Sequence, residues 1–108
     1  DIPDCSFVEE TDNGAKLTWH FEQIKTAKNL VAEGTAMHHC VAGYRNSCVS
    51  GACSIWSVYT VDEFGARKRR LTIELRHRYV AQIRGFANRL AKSNEMSIVN
   101  KWKKVIGV

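Results

Sequence analysis

Residues 53–85, CSIWSVYTVDEFGARKRRLTIELRHRYVAQIRG, decide the fold. Three apolar runs are separated there by two polar breaks. "CSIWSVYTV" (Cys53 to Val61) is rich in the β-branched and aromatic side chains that suit a pleated, half-buried surface. "DEFGARKR" follows as a polar turn around Gly65. "RLTIELR" (Arg70 to Arg76) alternates, with Leu71, Ile73 and Leu75 on one face and Thr72, Glu74 and Arg76 on the other. "RHR" turns the chain into "YVAQIRG", where Val80, Gln82 and Arg84 share one face and Tyr79, Ala81 and Ile83 the other. Three such runs joined by short turns predict an antiparallel meander.

Working outward, residues 1–15 read as an irregular entry with "TDNG" (Thr11 to Gly14) as a turn. "KLTWHFEQI" (Lys16 to Ile24) is a strand, with Leu17, Trp19 and Phe21 on its apolar side. "KTAKNLVAEG" predicts a helix with Thr26 as N-cap and Gly34 as terminator. "AMHHCVAGYRNSCVSG" predicts a second helix ending at Gly51, whose apolar face carries Met37, Cys40, Val41, Tyr44 and Cys48. "SNEMSIVNKWKKVIG" predicts a last helix, capped by Ser93, with a stripe of Met96, Val99, Trp102, Val105 and Ile106. The expected architecture is α+β, a small antiparallel β-meander of three to four strands in the order β-α-α-β-β-β-α. Its helices are expected on one face of the sheet.

The 108 residues make one domain, and their 44% hydrophobic and 25% charged content is that of a globular protein. No apolar run approaches the roughly 20 residues of a membrane span. The opening "DIPDCSFVEE" lacks the features of a secretory signal. A cytoplasmic location is therefore expected, with Cys5, Cys40, Cys48 and Cys53 as reduced thiols. The missing initiator Met suggests a fragment of a longer protein. Charge is uneven: residues 1–54 hold four basic against seven acidic side chains, and residues 55–108 hold twelve against four. A basic half containing "RKRR" (Arg67, Lys68, Arg69, Arg70), "RHR" and "KWKK" attracts nucleic acid by counterion release, or is simply a solvated surface.

Chemistry concentrates in Gly34 to Ser57. A zinc site would draw on His39, Cys40, Cys48 and Cys53, but Cys-x7-Cys-x4-Cys is not a finger or ribbon spacing. On one helix Cys40 and Cys48 stand about 12 Å apart, too far for one ion. No metal and no cofactor are expected. A thiolate at Cys40 would need a base, and its neighbour His39 projects about 100° away around the helix. On the sheet, antiparallel pairing brings Glu74 and Gln82 toward one hydrogen-bond network.

Taken in order, "WHF", "LVAEGTAMHHCVAGY", "CVSGACSIWS", "LTIEL", "QIRGFANR" and a final Trp resemble the PcfJ-like domain family, bacterial proteins named after an open reading frame on a conjugative plasmid. The resemblance covers Leu17 to Trp102. It marks His39, Cys40, Val41 and Tyr44; Ser54 and Ile55; Thr72 and Glu74; and Gln82, Gly85 and Asn88. It implies a C-terminal part of a longer protein on a mobile element, with the rest of that polypeptide as a partner. It brings no settled activity.

If the helix carrying His39, Cys40 and Tyr44 crosses the polar sheet face, Thr72, Glu74, Gln82 and Asn88 converge beneath it, as a site or as a paired structural network. Gly85 then serves close backbone approach or a special φ. The first expectation is a nucleic-acid-associated domain, with Arg67, Lys68, Arg69, Arg70, Arg84 and Arg89 on phosphates and Trp56 or Phe86 stacking on bases. The alternatives are an enzyme using His39, Cys40, Glu74 and Gln82 on a phosphodiester, glycosidic or small-molecule substrate, and a protein-interaction accessory domain.

Overall fold

The structure, a computed structural model, describes residues 2–37 and 53–108. Its elements are β1 (Cys5–Glu10), β2 (Lys16–Ile24), α1 (Ala27–Met37), β3 (Cys53–Val61), β4 (Arg67–Arg76), β5 (Tyr79–Arg84) and α2 (Ser93–Ile106). The strands form one antiparallel sheet in the order β1-β2-β3-β4-β5. The predicted α+β meander is present, with five strands rather than three or four.

The added strand is β1, in the segment expected to be irregular. Its side chains alternate, with Cys5, Phe7 and Glu9 half-buried and Ser6, Val8 and Glu10 exposed. Glu9 occupies an inward position because its carboxylate accepts a hydrogen bond from the Trp19 indole at 3.1 Å. Phe7 meets the Phe21 ring edge-on at 5.7 Å between centroids. The expected turn joins β1 to β2, with Gly14 in the left-handed region at φ +84°.

One sheet face carries the core. Trp19 and Phe21 of β2, Trp56 and Val58 of β3, and Leu71, Ile73 and Leu75 of β4 pack against Ile98, Val99 and Trp102 of α2. The Trp102 ring stacks on Phe21 at 5.0 Å and meets Trp56 edge-on at 5.3 Å. The stripe of α2 is rotated from the expected one: Glu95 and Ile98 are buried and Val105 is exposed. Lys92, not Ser93, is the N-cap residue, and its backbone N–H donates to Glu95 Oε1 at 2.8 Å.

Helix α1 covers the opposite face. Leu30, Glu33, Gly34 and Met37 are its buried residues, spaced as one helical stripe. Glu33 bonds to Ser57 and Thr72, which alternate along β3 and β4 with the core residues. The two helices therefore sandwich the sheet and are not segregated to one face. The helix runs through Gly34, its expected end, and is described as far as Met37. The second helix expected over 36–51 otherwise lies outside the described residues, as do His39, Cys40 and Tyr44.

Two β-bulges re-aim side chains. Val58 pairs with Leu71 but Tyr59 pairs with Arg69, so Arg70 is an extra residue in β4. Glu74 pairs with Gln82 but Leu75 pairs with Val80, so Ala81 is the extra residue in β5. Each bulge reverses the alternation beyond it. Val80 thus joins the core face, while Gln82 and Arg84 stay on the α1 face. The expected grouping of Val80 with Gln82 and Arg84 is corrected. Among the described residues no helix is long and apolar enough to cross a membrane.

Candidate functional site

The polar residues of the α1 face converge on one carboxylate. Glu33 is 1% exposed. Its Oε1 accepts from Ser57 Oγ at 2.9 Å and Arg69 Nε at 2.9 Å, and its Oε2 accepts from Thr72 Oγ1 at 2.6 Å. Three donors, one of them the ion-paired Arg69, offset the cost of burying the charge. The β4 bulge is what makes this arrangement possible. Strict alternation from Leu71 would put Arg69 on the core face, whereas the extra residue returns it to the α1 face beneath Glu33.

Along the same face, Glu74 is buried and bonded to the Arg76 guanidinium. Gln82 sits opposite Glu74 across the β4–β5 pair, and Arg84 opposite Thr72. Thr72, Glu74 and Gln82 thus share one sheet face in register; the helix expected to cross them lies outside the described residues. Thr72 donates to Glu33, and Glu74 is ion-paired with Arg76.

Other expected site residues lie elsewhere. Ser54 is on the core face, where its hydroxyl accepts from the Trp56 indole at 3.0 Å. Trp56 is fully buried and offers no stacking surface. Arg67, Lys68, Arg69 and Arg70 form no single patch, because they begin β4 and not a turn. Arg67 lies over the Tyr59 ring at 4.2 Å, while Arg70 donates to Thr60 Oγ1 at 3.0 Å and lies over Trp19 at 5.6 Å. Lys68 pairs with Thr60, on the face opposite Arg67 and Arg69.

The segment Gly85–Arg89 is a structural device. Ala87 and Asn88 take φ of +54° and +65°, and the Gly85 N–H closes the loop on the Arg89 carbonyl at 2.8 Å. Gly85 itself is extended, with φ −93° and ψ −162°. Close approach, not a special φ, is its reason: a Cβ there would stand 2.5 Å from Arg89 Cζ. Arg89 has no room to yield, since its two Nη atoms grip Glu95 at 2.8 and 2.9 Å. This guanidinium, expected on phosphate, is turned inward. Gly85→Ala is expected to break that fork and cost about 1.5–3 kcal/mol, the scale of a charged hydrogen bond. Urea unfolding of the variant checks it, and an unchanged midpoint would refute the steric account.

The family model described as PcfJ-like protein matches residues 9–99. The chain belongs to the PcfJ-like protein family. No curated protein and no solved structure matches it. The residues marked by the resemblance, Thr72 and Glu74 with Gln82, Gly85 and Asn88, fall on the α1 face and on the loop that leads to Arg89.

Sequence reasoning missed Glu33, Ser57, Tyr59 and Glu22. The signal for Glu33 was an acid on the apolar stripe of α1, three residues after Leu30. Among the described residues no three His, Cys, Asp or Glu side chains come together to hold a metal ion. The Cys5 thiol is pushed above its ordinary pKa by burial and by Asp4, which makes it a poor nucleophile.

Proposed function

We propose that this PcfJ-like domain is nucleic-acid-associated and engages phosphates through its basic C-terminal half. The observation that carries the reading is how the structure deploys its cations. Of the twelve Lys and Arg side chains in residues 55–108, three are held by carboxylates: Arg69 by Glu33, Arg76 by Glu74 and Arg89 by Glu95. The other nine have no salt-bridge partner among the described residues. Arg78, in the β4–β5 turn, lies beside Gly107. It therefore joins Lys103 and Lys104 of the last turn of α2 at one end of the domain. An unpaired basic cluster of this kind releases counterions when it meets a phosphate backbone. A role on a mobile element such as a conjugative plasmid, inside the cytoplasm of a bacterium, fits this reading.

The test is binding of duplex DNA, single-stranded DNA and RNA over a range of salt. Neutralising Arg67 to Arg70 together would be a poor variant, since Arg69 and Arg70 hold the fold. The informative one is Arg78→Gln with Lys103→Gln and Lys104→Gln. Salt-sensitive binding is expected, with the slope of log K against log salt falling by about 0.9 for each duplex phosphate contact removed. Absence of binding at low salt would end this reading.

A further inference from the structure

A cleft of about 400 Å³ opens on the α1 face between β2, β3, β4 and the first turn of α1. That is within the range of about 300–1,000 Å³ of small-molecule sites. Glu33 and Ser57 line it, and Arg67, Arg69, Tyr59, Glu22 and Asn29 form its walls.

Both arginines are oriented by a single intramolecular partner. Arg69 uses only its Nε, on Glu33, and the Arg67 guanidinium carbon lies 4.2 Å from the centre of the Tyr59 ring. The terminal NH₂ groups of both make no hydrogen bond among the described residues. Two residues apart on one strand face, they present paired forks about 6.7 Å apart at the backbone. Tyr59 is a fixed, neutral support. Its ring stacks on His20 at 5.0 Å, and burial together with its hydrogen bond to Glu22 raises its hydroxyl above the ordinary pKa. The cleft also meets the first turn of α1 at Asn29, the positive end of the helix dipole, where the Asn29 N–H is itself capped by Thr26 Oγ1 at 3.1 Å.

We infer that this cleft binds a phosphomonoester group. A carboxylate is satisfied by one guanidinium fork, whereas a tetrahedral dianion offers three terminal oxygens and matches two. Glu33 and Ser57 are already committed to each other, so the two arginines are the groups that carry the anion. Glu22 opposes the anion and tempers its affinity. The ligand is a mononucleotide or the 5′-phosphate end of a strand. The strand-end form rests on the reading proposed above, and the pocket itself does not.

Calorimetric titration of the full chain with adenosine 5′-monophosphate, adenosine and inorganic phosphate tests this at low salt. Adenosine monophosphate is expected to bind about tenfold or more tighter than adenosine, with phosphate competing. Arg67→Gln should abolish that preference. Lys68→Gln removes the same charge from the opposite face and should leave it intact. Glu22→Gln should tighten binding roughly threefold, the scale of one partly exposed charge. These variants spare Arg69 and Glu33, so folding is preserved.

Equal binding of nucleotide and nucleoside, or an Arg67→Gln variant that keeps the preference, overturns the proposal. A 5′-phosphorylated oligothymidylate compared with its 5′-hydroxyl form separates the sources. Preference for the phosphorylated end places the ligand on a strand, and nucleotide binding without oligonucleotide binding places it on a small molecule. The latter result removes the nucleic-acid reading and leaves the pocket standing. Salt-sensitive oligonucleotide binding with no nucleotide preference does the reverse.

Discussion

Glu33→Ala is expected to lower the unfolding free energy by about 2–4 kcal/mol, the cost of removing a buried charged acceptor from its hydrogen bonds; the Arg69 left behind is half-exposed and is rehydrated. The loss has a definite anatomy. Glu33 is the single acceptor that gathers Ser57 of β3, Thr72 and Arg69 of β4 and the helix α1 that bears it. Without it, Ser57 and Thr72 lose a charged acceptor and the half-exposed Arg69 loses its ion pair, and weakening buried polar contacts is costly. Glu33→Gln keeps one acceptor, and the hydroxyls can rotate to accept from its amide. Its expected cost is smaller, about 1–2 kcal/mol. Thermal unfolding measures both, and the alanine variant should melt roughly 10 °C or more below the wild type. Similar midpoints for the two variants would mean that burial of the side chain, and not its hydrogen bonds, fastens α1.

The same residue shows where sequence reading stopped. The core side of the meander was visible because it obeys simple periods. Trp19 and Phe21 alternate in β2, and Leu71, Ile73 and Leu75 alternate in β4. Every one of them is buried. What the periods do not encode is an inserted residue. Arg70 and Ala81 each add one residue to a strand, so faces assigned from one end are wrong at the other. Simple alternation thus assigns Arg69 to a charged turn, whereas it is the donor beneath Glu33. It groups Val80 with the polar side, whereas Val80 packs against the core.

The other misses have a common physical cause: a charged side chain in a position expected to be apolar. Glu9 faces inward on β1 because Trp19 supplies an N–H, and that made the strand look like an irregular entry. Glu33 and Glu95 are acids on the buried stripes of helices. A periodicity argument discounts such positions, although each is the pivot of its helix. The helices lie on opposite faces for the same reason. A stripe containing Glu33 pairs with the polar face of the sheet, and one containing Ile98, Val99 and Trp102 pairs with the apolar face. The motif residues Gly85 and Asn88 were legible as marks, but their role was not. Their spacing serves Arg89, whose partner Glu95 lies in the next helix.

Arg89→Ala is expected to cost about 3–5 kcal/mol near neutral pH, because Glu95 is then left charged and buried with only the Lys92 N–H as donor. The pH dependence distinguishes this from a loss of packing. Burial opposes ionisation of Glu95, but the hydrogen bonds from Arg89 and the Lys92 backbone outweigh it and hold its pKa below the ordinary value. A depressed carboxylate contributes stability in full above its unfolded pKa of about 4.3. That contribution fades as the pH falls through the lower folded value. In Arg89→Ala the chief counterweight to burial is gone, so the Glu95 pKa should rise above the ordinary value. The variant then gains from protonation where the wild type loses. The stability gap between them should be widest near pH 7 and narrow steadily below about pH 5. Denaturant melts of both proteins from pH 3 to pH 8 give the gap directly. A constant gap would show that Arg89 acts through the carbons it packs over Gly85, and that the ion pair contributes nothing of its own.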